Sequence, residues 1–473
     1  MPTTIEDNTE PAIAPDAGPQ DKQTAIVRRR WLLLATSLGF AVIQLDVSVV
    51  NVAIKPIGAA LGGGVSGLQW VVNAYTVAFA ALILTAGALG DRIGAKRVFI
   101  AGFALFTLAS AACGLAPSLP VLIGSRAIQG VGAAILAPTS LTLLNHAFTE
   151  PGERTRAVGL WAAGASTALA GGPLIGGVLT STLGWRAIFF INAPIGLIGI
   201  LLTIRFASET SRAKDRGVDL PGQLMAIVAL ASLAGATIEG GRYGFTEAGV
   251  LAGYALAALA AAAFVFVEAR RERPMLPLEL FRSGAFSASS AVGLLVNVTF
   301  YGLIFVLSLF FQRGQHLSAL QTGLAFAPST VAVLVANLLA GRLDARYGPR
   351  RVIAAGALLM ATGAAALIGA STHSPFTALV VQLVGLGFGI GLIVPAMTAA
   401  VLASVDRSRS GIASGTLNSA RQSGSVIGVA LFGALIADGG RLVSGLHVAL
   451  AISVALAILV GALTIKVPKE PTS

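Results

Sequence analysis

Stretches of mostly apolar residues long enough to cross a membrane follow one another along the whole of this chain. A helix needs about 20 such residues to span the hydrocarbon core of a bilayer. They occur near residues 31–54, 68–90, 97–116, 119–145, 155–180, 187–206, 220–238, 246–268, 285–311, 321–342, 351–371, 375–403, 410–438 and 445–467. Fourteen spanning helices are therefore expected. Charged residues make up 11% of the 473, against about 25% in a soluble domain. That is too little charge to solvate a surface, so lipid must meet most of it. The 56 glycines agree, because helices in lipid associate through small residues that let backbones approach. The expected class is an all-α integral membrane protein.

Basic residues orient the spans, since cytoplasmic loops are enriched in them. With an inside N-terminus, 25 of the 32 lysines and arginines fall inside. Lys55, Arg186, Arg242, Arg313 and Arg441 fall outside, and Arg126 and Arg421 lie within spans. Both termini are thus placed in the cytoplasm of a bacterial inner membrane. The net charge of +11 reads as topology rather than as a nucleic-acid surface.

The polar stretch 1–27 is expected to be a disordered cytoplasmic tail. Residues 28–206 form a six-helix bundle, 207–270 two inserted linker helices, 271–467 a second six-helix bundle and 468–473 a short cytoplasmic tail. The halves repeat weakly: Gly87-Ala-Leu-Gly-Asp-Arg-Ile-Gly-Ala-Lys-Arg-Val98 aligns with Gly341-Arg-Leu-Asp-Ala-Arg-Tyr-Gly-Pro-Arg-Arg-Val352. Two related halves around a midplane site are the usual construction of a secondary transporter.

Asp46 stands well inside the first span, where a charge costs about 3 kcal/mol on insertion scales, so it should face a cavity. It reads as a titrating proton carrier or as a structural acid paired with an arginine. Arg126, in the fourth span, needs an acceptor such as Asp46, a carbonyl or water, with Gln129 one turn on. Arg421 is a second buried candidate, or snorkels towards the cytoplasmic end. Gly164, Gly171, Gly172, Pro173, Gly176 and Gly177 permit close helix contact in the fifth span, and the proline bends it.

Asn73, Tyr75, Trp161, Gln382 and Asn418 are expected to line a cavity with Asp46. Asn297, Tyr301 and Phe305 recur at intervals of four and so share a helix face. Together they suggest a roomy, aromatic, weakly polar solute site. His146, His316, His373 and His447 form no metal-ligand cluster, and Cys113 reads as a packed hydrophobe. No Gly-x-x-x-x-Gly-Lys-Ser/Thr phosphate loop occurs, so an ion gradient is expected to supply the energy, with no cofactor, metal or enzyme activity.

Asp46-Val-Ser-Val-Val-Asn-Val-Ala53, the Gly87–Val98 loop, Arg126–Gly130, the Gly-Gly-Pro helix and Trp185-Arg-Ala-Ile-Phe-Phe-Ile-Asn-Ala-Pro194 resemble the major facilitator superfamily. More narrowly they resemble its fourteen-span drug:proton antiporters of the EmrB/QacA type. The resemblance implies the major facilitator fold, proton coupling at Asp46 and proton transfer at Arg126. It implies an exporter signature in the Gly-Gly-Pro helix. It also implies a conformational latch at Gly87, Asp91, Arg92, Gly94 and Arg97; the second loop departs from the usual pattern at Asp344.

The expected activity is export of small lipophilic, cationic solutes in exchange for protons, by a monomer in the bilayer. A facilitator or importer with a merely structural Asp46 remains the alternative. Whether a periplasmic adaptor joins it is left open.

Overall fold

A computed structural model describes residues 19–210, 219–271, 274–406, 409–437 and 439–468. Helices α1 (Pro19–Leu61), α2 (Gly64–Ile93), α3 (Ala95–Gly114), α4 (Leu119–Ala147) and α5 (Pro151–Thr182) open the chain. They are followed by α6 (Ala187–Phe206), which a turn at Ile191 interrupts. The inserted pair is α7 (Leu220–Tyr243) and α8 (Ala248–Arg270). The remaining six are α9 (Gly284–Leu309), α10 (Ala319–Tyr347), α11 (Pro349–Leu367), α12 (Phe376–Ala403), α13 (Ser410–Leu435) and α14 (Leu442–Leu463).

Thirteen of these are long and apolar enough to cross a membrane. The exception is α13, which carries Ser414, Asn418, Ser419, Arg421, Gln422 and Ser423 among its residues. It is nevertheless a full-length helix, wedged between α9, α2 and α7. Leucines and valines such as Leu108, Leu259, Leu338 and Val381 are exposed on the outside, where lipid rather than water must solvate them. Phe99, Phe103, Phe106, Phe305, Phe310 and Phe311 are buried between helices.

In the first bundle α1 packs on α5 and α6, and α4 packs on α2 and α3. The second repeats the scheme: α9 on α13 and α14, α12 on α10 and α11. The bundles meet along two seams, α5 with α10 and α2 with α13, and the α7–α8 hairpin rests its first helix on both α2 and α13.

The start differs from the sequence expectation. Residues 1–18 lie outside the described residues, but the helix already begins at Pro19, within the expected tail. Arg28 explains the extension in part: its Nε donates to the Phe206 carbonyl at 2.9 Å and its Nη2 to Ser208 Oγ at 2.7 Å. Residues 469–473 of the second tail also lie outside the described residues.

Candidate functional site

Asp46 and Arg126 are 0% and 1% exposed and form an ion pair across α1 and α4. Arg126 Nη1 donates to Asp46 Oδ2 and, at 2.7 Å, to Gln129 Oε1. Gln129 Nε2 donates to Asp46 Oδ1 at 2.8 Å, and Asn192 Nδ2 reaches the same oxygen at 3.0 Å. Arg126 Nε donates to the Val71 carbonyl at 3.1 Å, while its guanidinium lies 4.3 Å from the Tyr75 ring centroid. Two buried charges cost several kcal/mol each to desolvate, recovered only with good geometry and further hydrogen bonds. Here both carboxylate oxygens are satisfied, so the pair is neutral and enclosed. No solute can touch Asp46 in this conformation.

The sequence pattern named three members of this network and missed two. Asn192 is held by Ser110 Oγ, to which it donates at 2.9 Å, and Ser110 in turn donates to the Phe189 carbonyl at 2.9 Å. An asparagine inside the apolar 187–206 run was a signal of the same kind as Asp46.

One turn after Asp46, α1 meets the glycine helix. A methyl on Gly172 would strike Ser48 Cβ at 2.7 Å, and one on Gly176 would meet the Val49 backbone at 3.0 Å. Gly177 turns the other way, where a methyl would meet Leu320 Cα at 3.0 Å, and Gly323 of α10 answers from across the seam, where a methyl would come within 3.0 Å of the Pro173 carbonyl carbon. Gly171 and Gly164 have space around them, so within the motif close approach is required at Gly172, Gly176 and Gly177. Gly323 was not singled out in the sequence.

Hydrogen bonds close the same end of the two halves. Lys55 Nζ donates to the Gln312 carbonyl at 2.6 Å, and Ser308 Oγ donates to the Asn51 carbonyl. The Leu320 amide donates to Ser181 Oγ at 3.2 Å, and Gln69 Nε2 to the Ala430 carbonyl at 2.8 Å. Beneath this closure lies a mostly apolar cavity lined by Ser48, Asn51, Pro173, Phe300, Phe326 and Ser329, with neighbouring leucines.

None of the residues expected to hold the solute lines that cavity. Trp161 stacks on Phe40 at 4.2 Å and donates to Ser140 Oγ. Asn73 is buried with neither amide atom hydrogen-bonded, and Tyr75 sits under Arg126. Asn297 donates to the Gly293 carbonyl at 2.8 Å, and Phe305 is fully buried. Tyr301 packs on Phe300, and the cavity takes the Phe300–Ile304–Leu307 face of α9. Gln382 has a buried carbonyl oxygen without a partner, and Asn418 is half-buried beside Arg421.

Comparison with known proteins agrees with this architecture. The family model described as Major Facilitator Superfamily matches residues 36–281 and 289–473. The chain belongs to the major facilitator superfamily. It is 37% identical to a methylenomycin A resistance protein of Streptomyces coelicolor, over 95% of each chain. It is 39% identical to the multidrug resistance protein Stp of Mycobacterium tuberculosis, over 86% of this chain and 75% of that one. A bacterial homologue of the human lysosomal transporter Spinster, solved inward-facing and unoccupied, superposes with a TM-score of 0.66 at 17% identity over 92% of this chain. This facilitator is therefore a transporter, a multi-pass membrane protein.

Its α2–α3 loop, expected to act as a latch, is built as a turn. Gly94 has φ 113°, a backbone state open to glycine and strained for other residues, and its amide donates to the Gly90 carbonyl. The next helix is capped from a distance. The Ala95 amide donates to Thr210 Oγ1 at 2.9 Å, and the Lys96 amide to Glu209 Oε1 at 3.0 Å. Glu209 Oε2 also lies 3.5 Å from Arg97 Nε. Sequence reasoning missed Glu209 and Thr210 because they follow α6, far along the chain.

Proposed function

We propose that this facilitator exports small drug- or antibiotic-like molecules across a bacterial cytoplasmic membrane in exchange for protons. Relatives at 36–39% identity are named for resistance or efflux, and the basic residues gather at the end holding the α2–α3 and α10–α11 turns. With that end cytoplasmic, both termini are inside and the hydrogen-bonded closure faces outward.

One observation carries the proton reading: α1 bears both the enclosed Asp46 and the contacts that close the outer end. Asn51 and Lys55 follow Asp46 on the same helix and bond to α9 and its last turn. Protonating Asp46 abolishes the ion pair and leaves Arg126 buried without its counter-charge. Breaking a buried pair in this way costs about 3–5 kcal/mol, enough to reorder the α1–α4 junction and disturb the closure. Gln129 can follow the arginine, because it accepts from Arg126 and donates to Asp46 at once. Solute and proton then compete through conformation, each favouring a different state, rather than through one shared carboxylate. A cation preference would require Asp46 to be open to the solute; in this state it offers none of its oxygens.

Inverted vesicles holding a proton gradient, reported by a pH-sensitive dye, test the reading. Addition of an exported drug should collapse the gradient with wild type and leave it intact with Asp46→Asn. Solute equilibration without any proton movement in wild type would establish a facilitator instead.

A further inference from the structure

The membrane-buried stretches of the two bundles carry three charged residues among those described: Asp46, Arg126 and Arg421. The first two neutralise each other. Arg421 has no acid within ion-pair distance; its Nη1 makes a long hydrogen bond to Asn418 Oδ1 at 3.4 Å, and its Nε is buried without an acceptor. The guanidinium has capacity for five donated bonds and uses few of them.

Packing within the second bundle holds its side chain. Close approach of α13 to α9 at Gly424, where a methyl would come within 3.0 Å of the Leu294 carbonyl carbon, fixes the backbone around it. Its stem crosses Gly293 of α9, beside Met397 of α12 and Leu417 of its own helix. The α13 segment from Asn418 to Ser423 is half-buried throughout.

We infer that Arg421 is the solute-recognising residue of the second bundle, and that the exported solutes carry a carboxylate or another compact anionic group. This rests on the exporter reading and names its substrate class. While water reaches the guanidinium its cost is small. Occlusion removes that water, and an unpaired buried cation is costly. A bound anion supplies the missing acceptors, with charge-assisted and bidentate bonds, so closure is favoured only around a loaded site. Export of a monoanion against one inward proton moves two positive charges inward per cycle, so membrane voltage drives it.

A matched pair of probes tests this: 1-naphthoate and 1-naphthylmethylammonium, with the same apolar body and opposite charge. Binding is read as thermal stabilisation and by isothermal titration of purified, reconstitutable protein, without any gradient. Wild type should bind the acid at least tenfold more tightly than the amine. Arg421→Gln should lose about tenfold to a hundredfold of the acid's affinity while keeping its melting temperature, and Arg421→Lys should retain part of it. Equal affinity of wild type and Arg421→Gln for the acid, preference for the amine, or binding of neither probe would overturn the inference. A protein that binds the acid through Arg421 but exchanges no protons would keep this inference and sink the antiport reading.

Discussion

The first bundle buries its charge as a pair, Asp46 with Arg126, wrapped by Gln129, Asn192 and Tyr75. Among the described residues, the second carries a single half-buried cation within the membrane, Arg421, with one long bond to Asn418. The two bundles share a fold and a packing scheme, so the fold does not require either arrangement. Under the antiport proposal the difference separates two tasks: the closed neutral pair would respond to a proton, and the unpaired cation to a solute.

The largest effect that would break this comparison is loss of the pair's balance. Asp46→Ala should destabilise the protein by about 3–5 kcal/mol, because Arg126 stays buried without a counter-charge. Thermal unfolding in detergent reads this as a fall in Tm. The double variant Asp46→Leu/Arg126→Met should recover most of the stability without recovering transport, since apolar replacements of buried pairs are often neutral. If the double variant is as unstable as the single one, the pair is not what Asp46 is for.

Next in size is the seam that α1 shares with the glycine helix. Gly172→Val should cost about 1–3 kcal/mol through overpacking against Ser48, with transport impaired. Gly171→Val, facing Ile175 at 3.6 Å, should change stability little. Equal effects at the two positions would mean that helix propensity, not contact, explains the motif.

Arg421→Gln sharpens the comparison directly. Removing a buried cation that has no acid should shift stability by less than about 1 kcal/mol, in either direction, where Asp46→Ala costs several times more. The smallest effect belongs to the surface: Glu209→Gln should lose about 0.3–1 kcal/mol from the start of α3, reduced by salt. Hydrogen exchange at the Ala95 and Lys96 amides would detect it.

Much of the fold was legible because the bilayer reads sequence coarsely. Length and apolarity alone placed fourteen helices, and α13 was recognisable although its polar face makes it the least apolar of them. Asp46, Arg126 and Gln129 were legible because charge in lipid needs a partner. Asn192 carried the same kind of signal, a polar group inside an apolar run, and was passed over; Gly323, Glu209 and Thr210 were not legible, since their value depends on which helix lies opposite, and sequence spacing does not state that. The residues expected around a solute do not line the cavity of this conformation, for a related reason. Asn297, Tyr301 and Phe305 do share a face of α9, but period alone cannot say whether a face meets a cavity or a neighbouring helix, and the cavity took the adjacent face.

The most direct test of the division of labour is exchange in reconstituted liposomes, comparing uphill uptake under a proton gradient with gradient-free exchange of labelled for unlabelled solute. Asp46→Asn should lose uphill uptake and keep exchange, because its solute site is intact while its proton site is gone. Arg421→Gln should lose both. Uphill uptake by Asp46→Asn at the wild-type rate would contradict the account, for the proton would then travel by a route that does not need the buried pair.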